Sequence, residues 1–114
     1  MAIYKDTGHG VTIQSLMEFD KIRPILGRIV AADAGLEPLK TEARKESDIE
    51  YTVEYNLILK DDRGNEVWLS GCNCGYGGTG PHGTYELLQK VGLIPQQTKF
   101  EDTPIPSQHR CHWP

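Results

Sequence analysis

An excess of positive charge is missing from this chain: 12 Lys and Arg stand against 16 Asp and Glu, a formal net charge of −4. Affinity won by neutralising many phosphates needs the opposite sign, so duplex nucleic acid is not an expected partner. Long apolar runs are missing too. No stretch approaches the roughly 20 residues that cross a bilayer, and Met1–Asp6 leads into no apolar segment of signal-peptide type, so a cytoplasmic protein with no membrane partner is expected. Cysteine is scarce and odd in number. Cys72, Cys74 and Cys111 supply no disulfide framework, and reduced thiols are the default.

What is present is ordinary in bulk, with 38% hydrophobic and 25% charged residues over 114 positions, the composition of a folded domain. A chain of this length buries about two-thirds of its unfolded surface, which permits a core without a metal or disulfide staple. The departure from average lies in glycine. Six of the 12 glycines (Gly71, Gly75, Gly77, Gly78, Gly80, Gly83) fall between positions 71 and 83. Glycine there costs backbone entropy, so the cluster marks a feature built from the backbone.

Periodicity places that cluster. Gly10–Gln14 alternates apolar and polar and predicts a short strand. From Ser15 to Ala34, Leu16, Phe19, Ile22, Leu26, Ile29 and Val30 recur at helical spacing, interrupted by Pro24 and Gly27. That pattern predicts either two short helices or one helix from Pro24 to a stop at Gly35. The charged stretch 37–50 reads as a solvated linker or exposed helix. Tyr51, Val53, Tyr55, Leu57 and Leu59 alternate with Thr52, Glu54, Asn56, Ile58 and Lys60 and predict a strand. Asp61–Asn65 offers Gly64 for a left-handed turn position, and Val67–Leu69 returns antiparallel, a hairpin over 51–70. Thr84–Val91 reads as a helix stopped by Gly92 and Pro95. The expected fold is α+β: a small antiparallel sheet with two helices in a single domain over 1–94, then an extended Pro-containing tail over 95–114.

The glycine loop thus joins a strand to a helix, the ingredients of an anion cradle. Successive N–H groups of Gly75, Gly77, Gly78 and Gly80 can face one oxyanion, and the helix N-terminus adds about half a positive charge. Thr79 and Thr84 offer hydroxyls, His82 a donor, Tyr76 a stacking surface, and Gly83 lies in the same run. From the tail, Arg110 and Trp113 could close over the ligand by bidentate contact and stacking; Arg23 and Arg28 are alternative phosphate partners. The loop contains no lysine, which removes the phosphate-binding loop of triphosphate hydrolases. Gly75–Gly80 matches G-x-G-x-x-G in form, but the chain left after it is too short for a dinucleotide fold.

Cys74-Gly-Tyr-Gly-Gly-Thr-Gly-Pro81 ahead of an apolar helix resembles a loop signature of small phage and bacterial domains, a likeness covering residues 74 to about 92 that implies no reaction. In size, acidity and loop type the chain is similar by class to phage proteins that sequester nucleotide immune signals. Together these readings predict non-enzymatic binding of a small phosphate-bearing nucleotide, without a cofactor, in a homo-oligomer whose partner surface would use Ile58, Trp68 and Tyr85.

Two other chemistries compete. An enzyme could act on such a nucleotide through His82 or a cysteine, although His82-Gly83-Thr84 has no equivalent second pair at His9. Alternatively, Cys72, Cys74, Cys111 and a tail histidine, His109 or His112, could surround zinc in a structural module, against the C-x-C spacing, which is tight for one ion.

Overall fold

The computed structural model describes residues 1–114 and is α+β. Its main sheet has five strands in the order β1-β6-β5-β2-β7. These are β1 (Ile3–Lys5), β2 (Ile29–Gly35), β5 (Leu57–Asp61), β6 (Glu66–Leu69) and β7 (Arg110–Trp113). A separate two-stranded antiparallel sheet is formed by β3 (Lys40–Glu46) and β4 (Ile49–Tyr55). Two α-helices, α1 (Thr12–Ile22) and α2 (Thr79–Lys90), cover one face of the main sheet. The core between these layers includes Phe19, Ala32, Ala34, Leu57, Leu59, Val67, Leu69, Leu87 and Leu88, all at most 1% exposed. No helix is long and apolar enough to cross a membrane.

The expected hairpin is present where β5 and β6 pair antiparallel, with Leu57 opposite Leu69 and Lys60 opposite Glu66. Gly64 in its turn has φ +83°, the left-handed position its sequence context demands. Asp61 closes the turn. Its Oδ1 accepts from the Arg63 and Asn65 N–H groups at 2.9 and 2.7 Å, and its Oδ2 from the Gly27 N–H and Asn65 Nδ2, both at 2.8 Å.

The alternating run 51–60, however, is not one strand. It bends at Asn56, whose side-chain amide donates to the carbonyls of Gly35 and Leu36 at 3.1 Å each. Before the bend, Val53 and Tyr55 pack with Ile58 and Trp68 on the face away from the helices; after it, Leu57 and Leu59 enter the main core. The period survives while the strand changes sheets.

Four other expectations are corrected. The predicted strand over 10–14 is the first turn of α1, because Ser15 and Phe19 are the buried positions and Ile13 and Met17 are exposed at helical spacing. In place of a helix over 24–35, a single 3₁₀ turn (Arg23–Ile25) leads into β2, a central strand whose Ala32 and Ala34 let the helices approach. The charged stretch 37–50 forms β3 and the start of β4, with Lys40 opposite Tyr55 and Arg44 opposite Tyr51; its far end is exposed on both faces and therefore shows no apolar alternation. Finally, the main sheet is mixed: β1 runs parallel to β6, with Tyr4 opposite Val67.

Residues 95–114 are not an extended tail. They cross the helix layer through a 3₁₀ turn (Phe100–Asp102), bury Ile105 completely, and end as β7 on the edge of the sheet, antiparallel to β2.

Candidate functional site

The glycine-rich loop leaves β6 and runs beneath the N-terminus of α2, and its glycines have different reasons to be there. Gly71 lies against the backbone of Val11: a Cβ on Gly71 would sit 2.5 Å from the Val11 carbonyl. Gly83 faces α1, where a Cβ would come within 2.3 Å of Thr12 Cγ2. Gly80 is buried over Asn73, with Asn73 Oδ1 only 2.2 Å from a Cβ built on Gly80. Gly75 holds φ +100° and wedges between Leu36 and the His109 ring. These four serve close packing and backbone turning. The remaining two differ. A Cβ on Gly77 would meet nothing within 4 Å, and one on Gly78 would meet the ring of Tyr76 at 2.5 Å, a local contact within the turn itself.

Helix α2 begins five residues earlier than the apolar periodicity indicates, with Gly78 as N-cap, so Thr79, Gly80 and Pro81 form its first turn. No side chain caps it. The backbone N–H groups of Tyr76, Gly77, Gly78, Thr79 and Gly80 donate to no protein acceptor. Tyr76, Gly77 and Thr79 are exposed. A 12-residue helix with unpaired N–H groups at its start concentrates partial positive charge there.

His82 lies one turn along α2 and folds back on this end. Its Nδ1 is 2.9 Å from the Gly78 carbonyl, which can only accept, so Nδ1 carries the hydrogen and Nε2 is the free ring nitrogen. The ring stacks on Phe100 with centroids 3.8 Å apart. Phe100, in turn, meets Tyr85 edge-on, and Tyr85 donates its hydroxyl to the Thr98 carbonyl at 2.6 Å. Beside the turn, a groove of about 220 Å³ runs between α1 (Thr12, Ile13, Leu16) and α2 (Thr79, His82, Gly83), with the Glu86 carboxylate at its far end from the turn along α2.

The structure therefore brings together Gly75, Tyr76, Gly77, Gly78, Thr79, Gly80 and His82, but not the rest of the predicted set. Thr84 is fully buried and its hydroxyl donates to the Asn73 carbonyl at 2.7 Å. Trp113 packs into the core, and the adjacent Pro114 lines a cavity with Arg28, Val91 and Leu93 at the C-terminal end of α2. That end is about 18 Å from the turn for a 12-residue helix. Arg23 is there as well, donating to the Lys90 carbonyl. Arg110 projects from the opposite face of the sheet, where its neighbours are Asp33, Lys40 and Lys60. The tail residue that does reach the loop is His109, against Gly75.

The competing chemistries fare differently. Burial pushes the Cys72 thiol up to about 12, with the charges of Asp6 and Glu86 adding to it. Burial likewise raises Cys74, and raises Cys111 to about 12 beside Cys74. Neutral buried thiols make poor nucleophiles. No group of three or more His, Cys, Asp or Glu residues converges as a metal site, and His112 instead pairs with Asp33 at 2.8 Å. Of the surface proposed for a partner copy, Ile58 is 4% exposed and Tyr85 is engaged inside the subunit.

Two residues at the loop had no signal in the sequence. Asn73 Oδ1 is buried without a hydrogen-bond partner beneath Gly80. Asp6, 5% exposed, gathers the loop's start: its carboxylate accepts from Gly8 N–H, the Ser15 hydroxyl and the Ser70 N–H, and Ser15 Oγ accepts from Gly71 N–H. Only the three-dimensional meeting of β1, α1 and β6 reveals that role. Compared with family models, curated proteins and solved structures, the chain finds no match, and the functional reading rests on its own residues.

Proposed function

We propose that the chain binds a small phosphate-bearing ligand of nucleotide type at the Tyr76–Thr79 turn, without transforming it. One observation carries the reading: five successive N–H groups, Tyr76 to Gly80, stand without protein acceptors at the start of α2, one of them on Gly77, where no packing contact calls for glycine. An oxyanion there receives several N–H donors and the favourable end of the helix dipole. The Thr79 hydroxyl and His82 are the side-chain contacts. Tyr76, 44% exposed, and the groove beside Ile13 offer apolar surface to a base.

Binding without turnover is supported by the same neighbourhood. The thiols are buried and held protonated, and the His82 ring bonds to the Gly78 carbonyl and stacks on Phe100, with no hydrogen bond to Glu86, Thr12 or Thr79, which share its groove. In biological terms we propose sequestration of a signalling nucleotide in a phage protein acting against host defence, on the likeness by class in size, acidity and loop type and not on the loop signature. Such a protein would work in the cytoplasm as a homo-oligomer.

Gly77→Asp tests the site without disturbing the fold, because the position is open and an acidic side chain ahead of a helix is neutral or stabilising by about 0.3–1 kcal/mol. Calorimetric titration with adenosine 5′-monophosphate should show at least tenfold weaker binding to Gly77→Asp than to the original protein, at equal or higher melting temperature. Equal affinity in the two proteins would remove the turn from the binding site. Recovery of the nucleotide intact after heat release separates capture from hydrolysis.

A further inference from the structure

We propose a second anion site, on the face of the main sheet turned away from the helices, that takes a small molecule carrying two or more negatively charged groups. It does not depend on the glycine loop. A cavity of about 260 Å³ lies there, with Ile58 in its floor and three cations on its walls: Lys40 from the start of β3, Lys60 from β5 and Arg110 from β7. None of the three makes an ion pair, a state they share with Arg23, Arg28, Lys45, Arg63 and Lys99; what sets them apart is that they line one cavity.

Two carboxylates also line the cavity, and each is committed elsewhere. Asp33 is 2.8 Å from His112 Nδ1, and Glu66 Oε1 accepts from the Trp68 indole N–H at 2.9 Å. Three cations and two carboxylates give the lining a formal charge of +1, in a chain whose net charge is −4. Glu66 stands opposite Lys60 in the sheet register, so the two carboxylates offset part, and not all, of the repulsion among the three cations. A ligand with two anionic groups removes that repulsion and gains charge-assisted hydrogen bonds, bidentate from Arg110. Ile58 and Leu39 add apolar surface to the lining. Trp68 stands beside the cavity with Lys40 Nζ 5.7 Å from its ring centre, and the sheet register places it next to Ile58. The chemistry shared by possible ligands is an oligoanion, whether its groups are phosphates or carboxylates.

Titration with pyrophosphate and, separately, with citrate tests the site in three proteins: the original chain, the double variant Lys60→Gln/Arg110→Gln, and Gly77→Asp. Lys60 and Arg110 are exposed, so the double variant should fold; Lys40→Gln, also exposed, is the second variant should it not. The expected result is binding of at least one anion to the original chain and to Gly77→Asp, weakened at least tenfold in the cavity variant and by added salt. Tighter pyrophosphate binding assigns a phosphate ligand, and tighter citrate binding a carboxylate one. The proposal is overturned if neither anion binds the original chain at millimolar concentration, or if the cavity variant keeps full affinity.

Discussion

A chain ending at residue 94 is expected to lose its cooperative thermal transition. Deleting 95–114 takes away Ile105, fully buried, and Cys111, 3% exposed, and strips β7 from the edge of β2. Removing one large buried aliphatic side chain costs about 2–5 kcal/mol on its own. The deletion also frees the N–H groups of Gly75 and Leu36, which donate to the Ile105 and His109 carbonyls at 2.7 and 2.8 Å. Each of those lost bonds leaves a donor near the core, at about 1–3 kcal/mol. Phe100 and Thr98, which hold His82 and Tyr85, go as well. The sum is comparable with the whole stability of a small domain, about 5–15 kcal/mol. Circular dichroism on heating measures it. A truncated chain melting sharply within a few degrees of the full one would show that β7 and the packed tail contribute little.

The second large effect belongs to Asp61→Ala. Burial alone would raise this carboxyl, but the Asn65 side chain and the N–H groups of Gly27, Asn65 and Arg63 outweigh it and hold the group at about 2. Losing the carboxylate leaves the Gly27, Arg63 and Asn65 amides without their acceptor and opens the turn between β5 and β6, a cost of about 2–4 kcal/mol at neutral pH. The pH dependence has a definite sign. A carboxyl depressed in the folded state stabilises fully above its unfolded value, about 3.9, and that contribution disappears as pH falls through about 2. Denaturant unfolding should therefore show the gap between original and variant constant from pH 7 to about 5 and shrinking below about 4. A gap independent of pH would mean that the carboxylate charge is not what organises the turn.

What could be read in the sequence was what repeats or turns locally. The β5–β6 pairing and the left-handed Gly64 follow from alternation and turn chemistry, which depend on neighbours a few residues apart. A second helix near 84–91 was legible by its period, but its true start at Thr79 was hidden by Gly80, Pro81 and Gly83, residues that weaken a helix pattern and are tolerated in its first turns. The strand β2 was misread because Ile29, Val30, Ala32 and Ala34 fit a helical spacing as readily as a strand, and only burial against two neighbouring strands decides. For β3 there was no apolar pattern to find, since its half-buried positions are the ion-paired Glu42 and Arg44 and the rest of the strand is exposed.

At the candidate site, glycine clustering located the loop but could not apportion its glycines. Gly71, Gly80 and Gly83 are explained by Val11, Asn73 and Thr12, contacts between segments distant in the chain or folded against each other. Arg110 follows His109 directly and Trp113 comes three residues later, yet strand alternation and the length of α2 carry both away from the loop that His109 reaches. The bend at Asn56 is of the same kind: one polar residue inside an apolar alternation moves the strand to another sheet.

The most direct test of the central claim is a two-dimensional ¹⁵N–¹H titration of the full chain with adenosine 5′-monophosphate, which reads each backbone amide separately. Binding at the start of α2 should move the amide signals of Tyr76, Gly77, Gly78, Thr79 and Gly80 most, with saturation at a common affinity, while Lys60 and Arg110 stay in place. If those five signals remain still as the nucleotide saturates another region, or if nothing saturates, the anion cradle is contradicted.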